Sequence, residues 1–196
     1  MKTILLATSN KSKFKIVKDL LQRAGLEETE YQILSLKDIN YVGPDEKEQG
    51  SIDQRAKAKA MSVSNNVSNR NDYDFIIGID DGIELKGTIR ENVKDHINKI
   101  LFENYLEKDE SIIFPRAYCC INKEGITFEI IAKIAYKYTP KDNLVVEPNS
   151  YPLSQVAALL NSDKSLTDMD ENEANEYYWE SCKEEIIKLA EFIKGE

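Results

Sequence analysis

The opening of the chain constrains its fold most, because a short apolar segment passes through a polar turn directly into a lysine-rich segment. Residues 4–7 read Ile-Leu-Leu-Ala, which is the length and composition of a buried strand. Apolar residues then recur at helical spacing from Phe14 to Ala24, and Gly25 stands where such a helix would end. The pattern predicts a strand, a turn and an amphipathic helix in direct succession.

The turn itself has the composition of a phosphate-binding site. Thr8, Ser9 and Asn10 are residue types that cap helices, and their hydroxyl and amide groups can face a ligand. Lys13 follows closely, and the free backbone N–H groups of a helix N-terminus attract anionic oxygen. An edge turn carrying solvent-exposed lysines explains the same spacing equally well, so both interpretations stay open at this point.

The length and the net charge of the chain limit the classes of protein to which it can belong. A chain of 196 residues with 41% hydrophobic residues can bury the core of one α/β domain, and we expect a single domain over residues 1–196. Its 26 basic and 35 acidic residues give a net charge of -9, which argues against general binding to nucleic acid or to a membrane. Any phosphate ligand must therefore be bound by a local group of cations.

The cysteines and the hydropathy pattern favour a reducing, cytoplasmic location. Cys119, Cys120 and Cys182 form an odd set without metal-ligand spacing, which is typical of buried free thiols. No signal peptide is recognisable, and no apolar run approaches the roughly 18 residues that a membrane-spanning helix needs. His96 is the only histidine, so carboxylates and lysines are left to carry any chemistry.

Beyond the opening, the alternation and spacing of apolar residues predict further strands and helices. The predicted strands are 31–36, 75–79, 83–85, 111–122 and 126–138, and the predicted helices are 50–64, 91–109, 155–160 and 177–194. Polar loops connect these elements, and the loop at 140–152 contains Tyr151 in a segment that can line a pocket.

Two carboxylates follow the most apolar of the predicted strands. Asp80 and Asp81 stand immediately before Gly82. Open α/β sheets bind ligands at the carboxyl ends of their strands, and hard carboxylate oxygens suit Mg²⁺ held between protein and phosphate. The alternative is an ordinary Asp-Asp-Gly turn, since both residue types are common turn formers. The lysine-bearing turn at the opening of the chain favours the metal and phosphate site.

Four segments of the chain match motifs of one enzyme family. Ala-Thr-Ser-Asn-Lys-Ser-Lys at 7–13 is similar to A-T-[GST]-N-x-x-K, and Glu-Gln-Gly at 48–50 is similar to E-T-G. Lys59-Ala60 corresponds to a Lys-Ala pair after a one-residue gap, and Ile-Asp-Asp-Gly-Ile-Glu at 79–84 looks like D-D-S-G-L-E. The chain thus resembles the inosine triphosphate pyrophosphatase family and its inosine/xanthosine triphosphatase relatives, with Asp80 in the position of the essential acid.

The resemblance implies an α/β fold with a strongly twisted mixed sheet flanked by helices, in two lobes around a central cleft. It also implies a Mg²⁺-dependent enzyme that hydrolyses abnormal purine nucleoside triphosphates, such as ITP, XTP and dITP, to the monophosphate and pyrophosphate. Members of the family are commonly homodimers, a property for which this sequence offers no separate signal.

The same resemblance assigns roles to individual residues. It implies that Thr8, Asn10, Lys13 and Lys59 contact the triphosphate, with both lysines stabilising charge on the phosphoryl oxygens, and Ser9 lies in the same turn. Glu48 and Asp80 would hold Mg²⁺, and Asp80 or Asp81 would position or deprotonate the attacking water.

The C-terminal third departs from the family pattern. The F-G-Y-D-P loop is reduced to Ser-Tyr-Pro at 150–152, which leaves Tyr151 as the predicted substrate contact. The E-E-K-N and S-H-R segments, which contact the purine and a phosphate in the family, are Glu-Ala-Asn at 173–175 and Tyr-Trp-Glu at 178–180. Two alternatives therefore stay open: a nucleotide-binding protein that has lost turnover, and a pyrophosphatase for another modified nucleotide.

Overall fold

A computed structural model of the protein describes residues 1–44, 49–90, 105–142, 144 and 152–195. Glu48 and Tyr151, both predicted site residues, and His96 lie outside these ranges. Among the described residues, no helix is both long enough and apolar enough to cross a membrane. All three cysteines are buried free thiols, as predicted, and burial raises the pKa of Cys119 and of Cys182 to about 11.

The helices and strands follow the predicted order closely. The strands are β1 (Lys2–Ala7), β2 (Tyr31–Ser35), β3 (Phe75–Asp81), β4 (Ile83–Leu85), β5 (Thr88–Arg90), β6 (Ser111–Asn122), β7 (Thr127–Tyr138) and β8 (Ala157–Ala158), and the helices are α1 (Lys11–Arg23), α2 (Ile52–Asn66) and α3 (Glu171–Lys194). Gly25, just beyond α1, has a φ of +89°, the left-handed conformation expected after a helix end. The strand, turn and helix predicted for the opening of the chain are confirmed.

The described chain divides into two compact units, of which the first comprises residues 1–81, 116–132 and 182–196. In this unit β1 pairs in parallel with β2 on one side and with β3 on the other, and β3 pairs antiparallel with β6. Side chains of α2 pack on Ala117, Cys119 and Ile121 of β6. Near the end of α3, the Phe192 ring contacts the rings of Phe75 and Phe128. The predicted mixed sheet flanked by helices is confirmed.

The second unit comprises residues 82–115 and 133–181. In it β4 pairs antiparallel with β5 and with the first part of β6, and β7 pairs antiparallel with β8. Its core is built around the buried Tyr136, whose ring lies against those of Phe114 and Tyr177. A single domain over residues 1–196 and a central cleft both stay predictions.

Three of the predicted helices differ from the structure or lie partly outside its described residues. The helix predicted at 155–160 is wrong: a short 3₁₀ turn, Pro152–Gln155, leads into β8, whose alanines are buried and pair with the end of β7. Of the helix predicted at 91–109, residues 91–104 lie outside the described part, and residues 105–109 form no helix. The last helix starts at Glu171, before the predicted residue 177, because Asp170 and Glu173 bond to each other's backbone N–H groups in a capping arrangement.

The packing of α2 against β3 depends on Gly78. A Cβ atom at this position would lie 1.9 Å from the carbonyl oxygen of Ala56 and 2.9 Å from the Cβ of Ala60. Both alanines are fully buried. The helix can therefore approach the strand this closely only because position 78 has no side chain.

We predict that Gly78→Ala destabilises the protein by about 3 kcal/mol, since the added methyl group meets the backbone of α2, which cannot rotate aside. Gly125→Ala is the matched control, because a Cβ there meets nothing within 4 Å and only its φ of +81° is unfavourable. Its expected cost is about 1 kcal/mol. Both free energies of unfolding are measured by urea denaturation, and equal losses would contradict the close approach of β3 and α2.

Candidate functional site

The candidate site lies where two neighbouring parallel strands end. The register of β1 and β3 pairs Ala7 with Gly78, so the turn at 8–10 and the aspartates at 80–81 leave the same edge of the sheet. The carboxyl ends of parallel strands are the usual ligand-binding edge of an α/β sheet. The structure thus brings together the two segments that the sequence singled out.

Asn10 and Thr8 fix the start of α1. The Oδ1 of Asn10, the N-cap residue, accepts a hydrogen bond from the backbone N–H of Lys13 at 3.1 Å. The backbone N–H of Asn10 in turn donates to Thr8 Oγ1 at 3.2 Å. These two hydrogen bonds fix the shape of the turn, and they hold the first turn of α1 in one position.

Asp81 is held between a helix and a neighbouring strand. Its carboxylate lies 2.9 Å from Lys13 Nζ and 2.6 Å from Arg116 Nε, and Arg116 is its cross-strand partner on β6. Burial by itself would raise the pKa of Asp81, but the attraction of Arg116 and of Lys13 outweighs burial and holds the pKa below its ordinary value. Asp81 is therefore an anion at neutral pH.

Asp80 is buried and is held by α2. Its carboxylate lies 2.5 Å from Arg55 Nη2 and 2.5 Å from Lys59 Nζ, and the side chains of Asp80 and Arg55 are only 5% and 3% exposed. Arg55 also donates from Nη2 to the backbone carbonyl of Asp81 at 3.2 Å. Arg55 and Lys59 are four positions apart, so they project from the same face of the helix toward the end of β3.

These contacts form one group of charges, which we call the aspartate cluster. Its members are the two aspartates and the four cations Lys13, Arg55, Lys59 and Arg116. The cluster carries an excess of two positive charges, whereas the whole chain carries a net charge of -9. A local positive excess in an acidic protein attracts a polyanion to this place in particular.

A cavity of about 680 Å³ opens beside the cluster. Five predicted ligand-binding residues line it, namely Thr8, Ser9, Asn10, Lys13 and Lys59. Ser62 and Tyr41 add hydroxyl groups, and Ala7, Leu36, Val63 and Ile79 add apolar wall. A volume of several hundred cubic ångströms, a mixed lining and a few convergent polar groups are typical of small-molecule sites.

Sequence reasoning missed part of this site. The helical spacing of Arg55 and Lys59 predicts that both share one side of α2, but it does not predict that Arg55 pairs with Asp80. Arg116 gave no such signal, because its approach to Asp81 depends on the antiparallel register of β3 and β6. Ser62 also gave none, since serines on helices are usually exposed, whereas this one is 7% exposed.

The described residues do not fit a resident Mg²⁺. Each of the four carboxylate oxygens of Asp80 and Asp81 already faces an ammonium or guanidinium group. Within the described ranges, no group of three or more His, Cys, Asp or Glu side chains could hold a metal ion. A divalent cation at Asp80 would compete with Arg55 and Lys59 for the same carboxylate.

Comparison with known proteins supports the fold. No protein-family model matches the sequence, and no curated protein matches it. Among solved structures, a HAM1 protein from Coxiella burnetii matches with a TM-score of 0.72 at 15% identity, over 100% of both chains. The Ham1 protein of Staphylococcus aureus matches with a TM-score of 0.61 at 16% identity, over 99% of both chains.

A third solved structure bears a functional name. It is the nucleoside-triphosphatase, or dITP/XTP pyrophosphatase, of Mycobacterium abscessus, with a TM-score of 0.60 at 12% identity over 91% of this chain and 94% of that one. The structural neighbours are thus Ham1 and nucleoside-triphosphatase structures, as the motifs of the sequence predicted. At these identities the likeness establishes the fold that this chain shares with them.

The low pKa of Asp81 predicts a pH-dependent contribution to stability. A carboxyl whose pKa is lower in the folded chain stabilises the fold above its ordinary pKa, and this stabilisation is lost as the pH falls through the folded value. We therefore expect Asp81→Asn to lower the melting temperature most at neutral pH. The difference from the wild type should shrink progressively below about pH 4.

Thermal unfolding of both proteins between neutral and acidic pH checks this expectation. Asp19→Asn is the control, because Asp19 pairs with Arg23 on the exposed side of α1 at 3.0 Å. Exposed pairs of this kind contribute little, so the control should follow the wild type. A deficit of Asp81→Asn that stayed constant at every pH would contradict the proposed pairing.

Proposed function

We propose that this chain, which has the fold of the Ham1 and nucleoside-triphosphatase structures, is a nucleoside-triphosphate pyrophosphatase. Its substrates would be abnormal purine nucleoside triphosphates, with ITP, XTP and dITP foremost, and its products the monophosphate and pyrophosphate. The observation that carries the proposal is the aspartate cluster, whose excess positive charge lies beside a cavity at the N-terminus of α1. We further propose a cytoplasmic location, in keeping with three buried free thiols, and a homodimer, which only the resemblance to the family suggests.

The lysines would supply most of the affinity for the triphosphate. Lys13 and Lys59 line the cavity, and their side chains are 17% and 22% exposed, so they can reach a ligand. Phosphoryl transfer needs little covalent chemistry from a protein, because catalysis consists mainly of positioning and of charge stabilisation. Both lysines would neutralise charge that develops on phosphoryl oxygens as the anhydride bond breaks.

The aspartates would act on the attacking water. Water would attack the α-phosphorus, and the bond from that phosphorus to the oxygen that bridges the α- and β-phosphates would break. Pyrophosphate would leave with this bridging oxygen. Asp80 or Asp81 would accept the proton of the water. When the phosphate chain binds Lys13 and Lys59, Asp80 stays paired with Arg55 and Asp81 with Arg116. The carboxylate oxygen that each aspartate had shared with a lysine can then accept the proton.

Mg²⁺ would bind to the protein together with the substrate. Glu48, outside the described residues, and Asp80 are the predicted metal ligands. Because Lys59 and Arg55 occupy both oxygens of Asp80, we propose that Mg²⁺ arrives with the triphosphate rather than residing in the ligand-free protein. When bound, a divalent cation supplies charge neutralisation of the phosphates.

A second candidate is a nucleotide-binding protein without turnover. The observation that favours it is that every carboxylate oxygen of the cluster is already paired, which is an arrangement suited to holding an anion rather than to activating water. A pyrophosphatase for another modified nucleotide is the third, since Ala174 and residues 178–180 replace the family's base-contacting residues.

Release of pyrophosphate from ITP, XTP, dITP and the standard triphosphates in the presence of Mg²⁺ tests the proposal. We expect the wild type to release pyrophosphate from the inosine and xanthosine nucleotides. We expect Lys13→Ala and Asp80→Asn each to lower kcat/KM by about 100-fold or more, since each substitution removes a charge that faces the reacting groups. Lys57→Ala is the control, because Lys57 lies on the opposite, exposed side of α2 and pairs with Glu129 at 2.7 Å.

Each outcome of this assay selects one reading. Binding of ITP without release of any product would favour the protein that has lost turnover. Release from modified pyrimidine nucleotides alone would favour the third candidate. If the folded protein, with metal present, neither bound these nucleotides nor released pyrophosphate, the proposed function would be contradicted.

The pairing of Lys59 with Asp80 generates a separate prediction about metal. We expect Mn²⁺ alone, followed by electron paramagnetic resonance, to bind Lys59→Met about tenfold more tightly than the wild type, because the variant lacks a competing cation at Asp80. Lys57→Met should bind like the wild type. Equal affinities in all three proteins would contradict the competition between Lys59 and the metal.

A further inference from the structure

We infer that the hydroxyl of Ser62 is a further ligand-binding group, which donates a hydrogen bond to a phosphoryl oxygen of the bound polyphosphate. This inference rests on the proposed function and adds to it a residue that no motif of the sequence indicates. Its basis is the position of Ser62 on α2, its burial, and the chemistry of the cavity that it lines.

Ser62 continues the row of side chains that reaches the aspartate cluster. Arg55, Lys59 and Ser62 stand at positions i, i+4 and i+7 of α2, so they share one face of the helix. The first two contact Asp80, and Lys59 and Ser62 both line the cavity. The hydroxyl therefore lies one turn along the helix from a lysine that we propose contacts phosphate.

The hydroxyl of Ser62 is buried without a partner. The residue is 7% exposed, and its Oγ has no hydrogen bond to any residue in the described part of the chain. Buried hydroxyl groups almost always have a partner, because one left unbonded costs free energy. An unbonded buried hydroxyl in the wall of a cavity is therefore explained most simply by a ligand that accepts its hydrogen bond.

The lining of the cavity identifies the chemistry of that ligand. Val63, the next residue of α2, and Ile79 add apolar wall to the same cavity. Lys13 and Lys59 line the same cavity and belong to the aspartate cluster, whose four cations outnumber its two anions, so this place favours an anionic ligand. Tyr41 contributes a second buried hydroxyl that has no partner among the described residues. An oxygen-rich polyanion, such as a phosphate chain, offsets the excess positive charge of the cluster and accepts hydrogen bonds from both hydroxyl groups.

Inorganic tripolyphosphate is the appropriate probe, because it carries the phosphate chain without a nucleoside. We expect Ser62→Ala to bind it about tenfold more weakly than the wild type in isothermal titration calorimetry, as a hydrogen bond to a charged group is lost. The melting temperature of ligand-free Ser62→Ala should equal or exceed that of the wild type, because the substitution removes an unbonded buried hydroxyl rather than a made bond.

Ser64→Ala is the matched control on the same helix. Ser64 does not belong to the cavity lining, and its Oγ accepts a hydrogen bond from Arg70 Nε at 2.9 Å. This variant should therefore show the reverse result, with a lower melting temperature and an unchanged affinity for tripolyphosphate. The two serines thus separate a hydroxyl that binds ligand from one that supports the fold.

The remaining outcomes are equally decisive. An unchanged affinity of Ser62→Ala for tripolyphosphate would overturn the inference and leave the proposed function intact. A lower melting temperature with unchanged affinity would assign Ser62 a structural role only. If the wild type itself failed to bind tripolyphosphate, the proposed phosphate site would fail, and the assignment of Ser62 with it.

Discussion

The pairing of Asp80 and Asp81 with cations from other elements is the interaction on which the candidate site depends. Successive side chains of a strand point to opposite faces of the sheet, so one aspartate reaches α2 while the other reaches α1 and β6. Asp80 and Arg55 are almost fully buried, and either charge alone in that position would be strongly destabilising. The two aspartates therefore connect α1, α2 and β6 to the end of β3.

This pairing requires α2 to lie close to β3. Gly78 allows that approach, and Ala56 and Ala60 keep the facing side of the helix small. Longer side chains at any of these positions would move the helix outward, and Arg55 and Lys59 would lose contact with Asp80. The close packing of small residues is thus the condition for the charge arrangement, since ion pairs depend steeply on distance at short range.

The four cations divide into two kinds. The arginines are the less exposed, at 3% for Arg55 and 12% for Arg116, whereas Lys13 and Lys59 are 17% and 22% exposed and line the cavity. Arginine binds carboxylate through a rigid planar group, while lysine carries a compact charge on a flexible stem. Under the proposed function, the arginines would hold the aspartates permanently and the lysines would exchange their aspartate for phosphate when substrate enters.

The sequence by itself determined the strand, turn and helix at the opening, the buried strand that ends in two aspartates, and the β6 and β7 hairpin. Those features follow from local periodicity and from capping residues, which act over a few positions. Only the tertiary structure decided that Ala157 and Ala158 form a strand, that Arg116 faces Asp81, and that Ser62 is buried in a cavity wall. These depend on pairing between segments far apart in the chain, and no local pattern encodes which distant backbone or charge a residue will meet.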